Sequence, residues 1–281
     1  MDDLLDRIVR WGVGDDRVRT LVLTGSRARG DADALSDHDV AVFATDPDAL
    51  AADDGWYAAF APMLVCLPLG DGGDAARLVI YEGGQKVDFS LLPVVDLDRL
   101  AGAALLPDPY DRAYRVLLDK DGLAGRLPPA PGPAPALPPT PMMFAAAVEE
   151  FWFEVWHVAK YLARGDLWHA KFRDATAKEL LLRMVEWHAV ACRGAADVHY
   201  LGLGMERWAD PDAWRRLHDC FGRFDAADAR AALFATAALF GDLSREVAVA
   251  IGVLYPQRVE DAVLAYANDV LPGAPFTRLV G

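Results

Sequence analysis

Residues 23–43, LTGSRARGDADALSDHDVAVF, contain the side chains best suited to chemistry in this chain. Asp37 and Asp39 are two residues apart, and alternate side chains of an extended chain share a face. Two carboxylates on one face repel each other unless a cation lies between them. Mg²⁺ takes carboxylates and substrate phosphates as ligands. The spacing therefore predicts that Asp37 and Asp39 hold Mg²⁺ beside a phosphate-bearing substrate.

The residues before this pair are typical of a phosphate-binding turn. Gly25 allows a sharp turn and a close approach of the backbone to a ligand, and the Ser26 hydroxyl with nearby amides can cradle phosphate oxygens. We expect a loop after them, in which Arg27 and Arg29 add charge-assisted hydrogen bonds to phosphate. A solvent-facing position also suits both arginines. His38 is expected to point to the opposite face from its neighbours and to pack.

A third carboxylate lies in the segment KVDFSLL, residues 86–92. Its alternation places the apolar side chains on one face of a strand and Asp88 and Ser90 on the other. An aspartate within an apolar strand is costly if it is buried without a partner. Three aspartates from neighbouring strands would hold two metal ions, which can stabilise an in-line displacement. The alternative is an edge-strand aspartate that faces solvent.

These side chains need a sheet to position them, and the first half of the chain alternates between strand and helix patterns. Helical spacing marks Asp2–Trp11, and short apolar runs predict strands at Arg19–Thr24, Asp39–Ala44, Met63–Leu69, Arg77–Tyr81 and Lys86–Leu92. From residue 142 onward helical periodicity dominates, with predicted helices at Phe144–Leu162, Ala175–Cys192, Asp210–Cys220, Ala226–Gly241 and Arg258–Val270. The pattern predicts an α+β fold, a mixed β-sheet with helices followed by an all-α helical bundle.

Residues 127–141 contain eight prolines in LPPAPGPAPALPPTP, which favours an extended polyproline conformation. We interpret this segment as a linker between a catalytic domain over residues 1–126 and a helical domain over 142–281. A ligand for a proline-recognising module is the alternative interpretation.

Composition narrows the class of partner and the cellular location. The 281 residues carry a net charge of −14, which argues against nucleic acid as a partner and leaves room for a cationic one. Three widely spaced cysteines provide neither a disulfide framework nor zinc spacing. The N-terminus lacks the basic region of an export signal, and the most apolar stretch, Ala231–Gly241, is too short to cross a bilayer. These features predict a cytoplasmic protein without a membrane partner.

The motif GSRARG (25–30) followed by DHD (37–39) resembles the polymerase-β-type nucleotidyltransferase superfamily. A closer resemblance is to the aminoglycoside 6-adenylyltransferase family, which modifies streptomycin. The segments that carry it are QKVDFSLLP (85–93), VLLDKDG (116–122), EEFWFEVWHVAKYLARGD (149–166) and LLRMVEWHA (181–189). The likeness runs from about residue 2 to about 270. The proline-dense linker departs from the family, as does His38, where an aromatic residue is usual.

The resemblance implies Mg²⁺-dependent transfer of AMP from ATP to a hydroxyl of an aminoglycoside antibiotic, expected to be streptomycin at its 6-position. Pyrophosphate would be released, and the host would become resistant. By the same resemblance Asp37 and Asp39 bind Mg²⁺, and Asp88 is a metal ligand, the general base or both. Gly25 and Ser26 would hold the triphosphate.

The helical domain offers candidates for the acceptor site. Glu150 and Glu154 are four residues apart on one helix face, and with Glu149 they are expected to bind a cationic, guanidinium-bearing sugar in a cleft between the domains. Trp152 is a candidate for the same wall, although its spacing also suits core packing. Lys178, one of five lysines in the chain, is a candidate to reach the triphosphate.

Two other functions stay open on sequence grounds. A nucleotidyltransferase that acts on a lincosamide, a protein or RNA would share the metal site, and a basic helical domain would favour RNA. A nucleotide-binding module that has lost catalysis would share the fold, although the presence of all three carboxylates argues against it.

Overall fold

The structure, a computed structural model, describes residues 3–70, 75–195, 197–198, 200–271 and 273. The chain divides into two compact units, Met1–Pro133 and Ala134–Gly281. The division falls within the proline-rich segment 127–141. None of the described helices is long and apolar enough to cross a membrane.

The first unit is built on a six-stranded mixed sheet. Its strands are β1 (Val18–Thr24), β2 (His38–Ala44), β3 (Met63–Leu69), β4 (Ala76–Tyr81), β5 (Lys86–Pro93) and β6 (Arg115–Asp119). The order across the sheet is β3-β4-β5-β2-β1-β6. The pair β2–β5 is parallel, and the other neighbouring pairs are antiparallel. The helices are α1 (Asp3–Gly14), α2 (Gly25–Arg29), α3 (Pro47–Ala52), α4 (Gly55–Ala58) and α5 (Val94–Ala101).

The five predicted strands are all present, and the predicted N-terminal helix is α1, although Asp2 lies outside the described residues. The sequence patterns missed β6 and the helices α2 to α5. Those four helices have four to eight residues each, which is too short for a 3.6-residue period to be recognised. We expected a loop after Ser26, and for the first residues this prediction is wrong. Gly25–Arg29 forms a short helix, which is capped by Gly30 with φ of 83°.

The two faces of the sheet are covered by different helices. One face packs under α1, α3 and α4, and its buried side chains include Leu21, Leu23, Val40, Val42, Phe89 and Leu91. The opposite face packs Ala41 and Phe43 against α5 and the segment that follows it. Because alternate side chains share a face, Asp39 and Asp88 lie on this second face, at the ends of strands whose later residues are covered.

The second unit is helical throughout its regular elements. Its helices are α6 (Pro141–Ala163), α7 (Leu167–Arg193), α8 (Met205–Trp208), α9 (Pro211–Leu217), α10 (Ala226–Ile251) and α11 (Gln257–Val270). α6, α7 and α10 share one apolar core, in which Phe151 stacks on Phe240 with ring centroids 3.5 Å apart. α6 begins after Thr140, whose hydroxyl accepts a hydrogen bond from Met143 N at 3.2 Å. The α+β prediction, a mixed sheet followed by a helical bundle, is confirmed.

Candidate active site

The parallel pairing of β2 with β5 brings two of the three predicted aspartates together. Asp39 and Asp88 are direct partners in the register of this pair. Asp37 lies two residues before Asp39, in the segment that leads into β2. On the other side of β2, Asp39 pairs with Thr24, the last residue of β1. Gly25, which follows Thr24, therefore lies beside the same carboxylate. The sheet register therefore gathers the predicted turn and the predicted carboxylates at one place.

Gly25 lies against the side chain of Asp39. Its φ is 67°, a left-handed conformation that side chains other than glycine adopt at a cost. A Cβ added at Gly25 would lie 1.9 Å from Asp39 Oδ2. Both backbone conformation and space therefore require glycine here, and the requirement comes from the position of a carboxylate.

A lysine that the sequence analysis did not select lies between two of the carboxylates. Lys86 Nζ donates to Asp37 Oδ2 at 2.7 Å and to Asp88 Oδ2 at 2.8 Å. Burial lowers the pKa of Lys86, but the hydrogen bonds to the two aspartates outweigh it, and the net shift is upward. The signal in the sequence was the spacing, since Lys86 and Asp88 are two apart on one strand and so share a face.

The electrostatics of Asp39 reflect the crowding of negative charge. Burial raises the pKa of the Asp39 carboxyl, and repulsion from Asp88 and Asp37 adds to this rise. Lys86 and Arg29 oppose the shift only in part. One further carboxylate oxygen, Asp88 Oδ1, is buried without a hydrogen-bond partner among the described residues. The cluster thus has more negative charge than its own cations balance.

This donor set fits a hard divalent cation. Among the described residues no group of three or more His, Cys, Asp or Glu side chains stands arranged around a metal position, and the ammonium of Lys86 fills the space between Asp37 and Asp88. Carboxylate oxygens are nevertheless the ligands that Mg²⁺ prefers. The unpartnered Asp88 Oδ1 and the raised pKa of Asp39 both mark places where added positive charge would be favourable.

The two predicted phosphate-binding arginines make contacts of their own. Arg27 donates from Nε to Asp37 O at 3.1 Å and from Nη2 to Ser36 O at 2.8 Å. Arg29 donates from Nε to Asp31 Oδ2 at 3.1 Å. Arg27 therefore holds the segment that presents Asp37, a role that the spacing alone did not predict.

His38 occupies the position expected for a packing residue. Its side chain is buried, and its Nδ1 lies 3.2 Å from the carbonyl oxygen of Lys86. The ring thus ties the start of β2 to the start of β5, the two strands that carry Asp39 and Asp88.

Two residues of the predicted acceptor wall are buried in the helical unit, which favours a structural role for them, and their contact with an acceptor stays a prediction. Trp152 is fully buried, and its Nε1 donates to Tyr255 Oη at 3.0 Å. Glu154 is 4% exposed and accepts from Arg173 Nη2 at 2.6 Å. The physical reason is that α6 packs against α7, α10 and α11, and both residues lie on its buried side.

The other candidates in the helical unit have different surroundings. Glu149 and Glu150 are exposed on α6, so both stay predicted contacts for a cationic acceptor. Lys178 Nζ donates to Asp174 Oδ1 at 2.6 Å within α7. That ion pair is local to the helix, and a role for Lys178 toward the triphosphate stays a prediction.

Comparison with known proteins links the chain to one enzyme family. The sequence model of a family described as streptomycin adenylyltransferase matches residues 1–270. A relative from Bacillus subtilis (strain 168), described as aminoglycoside 6-adenylyltransferase, is 24% identical over 285 residues, covering 95% of this chain and 96% of the relative. A relative from Campylobacter jejuni with the same description is 27% identical over 273 residues, covering 90% of each chain. The crystal structure of an aminoglycoside 6-adenyltransferase from Bacillus subtilis is 20% identical, covers 96% of this chain and 98% of its own, and superposes with a TM-score of 0.48.

Proposed function

The chain belongs to the streptomycin adenylyltransferase family, as its motifs predicted, and we propose that it transfers AMP from ATP to a hydroxyl of an aminoglycoside, with streptomycin as the expected acceptor. It is a nucleotidyltransferase, like the two relatives described as aminoglycoside 6-adenylyltransferases. The proposal extends to the details of the reaction, namely Mg²⁺, the release of pyrophosphate, the 6-position and the resulting antibiotic resistance.

The observation that carries the proposal is the register of β2 with β5. It sets Asp39 opposite Asp88, while Asp37 comes within reach of the same lysine as Asp88. We propose that Asp37, Asp39 and Asp88 would hold Mg²⁺, two ions in all, which when bound supply positive charge against the triphosphate and the leaving pyrophosphate.

The protein's own groups have defined tasks in this reaction. The acceptor oxygen attacks the α-phosphorus of ATP, the bond from that phosphorus to the pyrophosphate oxygen breaks, and the hydroxyl proton passes to a base. Asp88 is suited to accept that proton, because its carboxylate lies beside the other two aspartates and its side chain is 29% exposed. Gly25 lets the backbone approach the phosphates, and the Ser26 hydroxyl can donate to a phosphate oxygen. Most of the catalysis would come from positioning and charge neutralisation.

We further propose that carboxylates recognise the acceptor. An aminoglycoside is polycationic, and Glu149 and Glu150 are exposed acidic side chains on adjacent positions of α6. The net charge of −14 favours a cationic small molecule over a nucleic acid as acceptor.

The test is an ATP-dependent pyrophosphate-release assay with the full chain, run against streptomycin and a panel of other aminoglycosides and lincosamides. Mass spectrometry should show the acceptor heavier by one adenylyl group, that is AMP less one water. Turnover should disappear in EDTA and return with excess Mg²⁺. Activity with another aminoglycoside but not with streptomycin would overturn the choice of acceptor alone. Stabilisation by ATP and Mg²⁺ without pyrophosphate release for any acceptor would instead indicate a nucleotide-binding protein without catalysis.

A further inference from the structure

Lys86 is bonded to two carboxylates from different parts of the chain. Its ammonium lies 2.7 Å from Asp37 Oδ2, which belongs to the segment before β2, and 2.8 Å from Asp88 Oδ2, on β5. The Lys86 side chain is 29% exposed, so it is neither locked in the core nor free in solvent. An ammonium in this position does in part what a metal ion would do, since it holds two mutually repelling carboxylates together.

A divalent cation placed between Asp37 Oδ2 and Asp88 Oδ2 would compete with this ammonium for the space that Nζ fills. Mg²⁺ binds carboxylate oxygens at about 2.0–2.1 Å, and a metal that bridges Asp37 Oδ2 and Asp88 Oδ2 would occupy the space that Nζ fills. Lysine is suited to leave, because its charge is compact and its four-carbon stem is flexible. Lys86 is the first residue of β5, so its side chain extends from a strand terminus.

We propose that Lys86 is a positioning residue that competes with the divalent cation, neutralising Asp37 and Asp88 when the metal is absent and releasing them when it binds. This inference rests on the proposed function only in taking a divalent cation as the ligand of the three aspartates. Its consequence is that the site binds a divalent cation more weakly than the three aspartates would without Lys86.

The experiment measures Mn²⁺ binding to the full chain without nucleotide, by electron paramagnetic resonance at fixed pH and ionic strength. Lys86→Met should bind Mn²⁺ at least about fivefold more tightly than the wild type, the lower end of the range for coupled binding sites. Lys86→Arg should not bind more tightly, because a guanidinium can still bridge both carboxylates.

Two controls separate this contact from a general effect of charge. Arg29→Met removes a positive charge that acts on Asp39 through space. Lys120→Met removes a lysine of the same unit whose Nζ donates to Asp15 O at 2.9 Å, away from the site. Tightening by Arg29→Met equal to that of Lys86→Met would overturn the inference, since the cause would then be net charge.

A stability measurement supplies a second readout. In EDTA, the melting temperature of Lys86→Met should be lower than that of the wild type, because the carboxylates lose their counter-ion. Saturating Mn²⁺ should remove this difference in melting temperature. Unchanged or absent Mn²⁺ binding by a folded Lys86→Met protein would overturn the inference. If Lys86→Met does not fold, Lys86→Gln replaces it and is judged by the same criteria. Because no ATP or acceptor is present, these results stand or fall separately from the adenylylation assay.

Discussion

Asp39 lies opposite Asp88 across the one parallel strand pair of the described sheet, and the pairing in register of β2 with β5 sets that relationship. Burial, together with repulsion from Asp88 and Asp37, raises the pKa of the Asp39 carboxyl, so a negative charge is costly in this position. A protein retains such an arrangement where the charges serve chemistry.

Asp39→Asn should lower the rate of adenylyl transfer by more than about 10²–10³-fold, the usual loss for one preorganised electrostatic group. Its melting temperature should not fall, since the change removes one of three adjacent negative charges. Steady-state kinetics measure the loss of rate, and thermal melts measure the melting temperature. Asp48→Asn, which alters an exposed aspartate at the start of α3, is the control. Near-normal turnover of Asp39→Asn would disprove the metal assignment.

Gly25→Ala should abolish most activity, because the new Cβ would displace the Asp39 carboxylate that lies 1.9 Å from its position. Gly122→Ala is a matched control, since Gly122 has a similar φ of 73° but no atom within 4 Å of an added Cβ. Both variants should lose about 1–2 kcal/mol of stability from the left-handed backbone. Only Gly25→Ala should lose turnover, and equal activities of the two would contradict the contact with Asp39.

Arg27 variants separate a loop-holding role from phosphate binding. Arg27 donates to two carbonyl oxygens of the segment that presents Asp37. Lysine keeps the charge but cannot reproduce the two directed bonds. We therefore expect Arg27→Lys and Arg27→Met to lose kcat to a similar extent. If Arg27→Lys instead keeps near-normal kinetics while Arg27→Met shows a raised KM for ATP, the arginine binds phosphate.

Glu154→Ala should lower the free energy of unfolding by about 3 kcal/mol, near the lower end for loss of one partner from a buried pair. The partner left behind is Arg173, 24% exposed, so part of the cost is relieved by water. The KM for the acceptor should not change. Glu150→Gln, on the exposed part of the same helix, should show the opposite result, with normal stability and a raised KM for a cationic acceptor. Chemical denaturation and acceptor kinetics distinguish the two.

The ion pair of Asp15 and Arg17 should make stability depend on pH. Hydrogen bonds from Arg17 lower the pKa of Asp15 below its ordinary value of 3.8. A lowered acid pKa in the folded state adds stability that is present above about pH 3.8 and is lost as the pH falls through the folded value. Melting temperatures of wild type and Asp15→Asn should therefore differ at pH 7 and converge toward pH 2. Asp16→Asn, at the exposed neighbouring position, should show a smaller difference at pH 7.

The sequence by itself predicted five of the six strands, β6 being missed, and it selected Asp39 and Asp88, which the sheet sets opposite each other. Strand alternation is a local property, so the burial of Val87 and Phe89 and the opposite orientation of Asp88 follow from residue types alone. The same holds for the long helices of the second unit, whose periodic patterns extend over several turns. The short helices α2 to α5 contain too few residues for such a pattern.

Contacts between distant segments were decided only by the tertiary structure. Lys86 lies 49 residues from Asp37 in sequence, and only the pairing of β2 with β5 brings the two together. The burial of Trp152 and Glu154 likewise depends on which helices pack against α6. A sequence pattern shows which residues share one face of an element, whereas the packing of neighbouring elements determines whether that face meets solvent, a core or another charge.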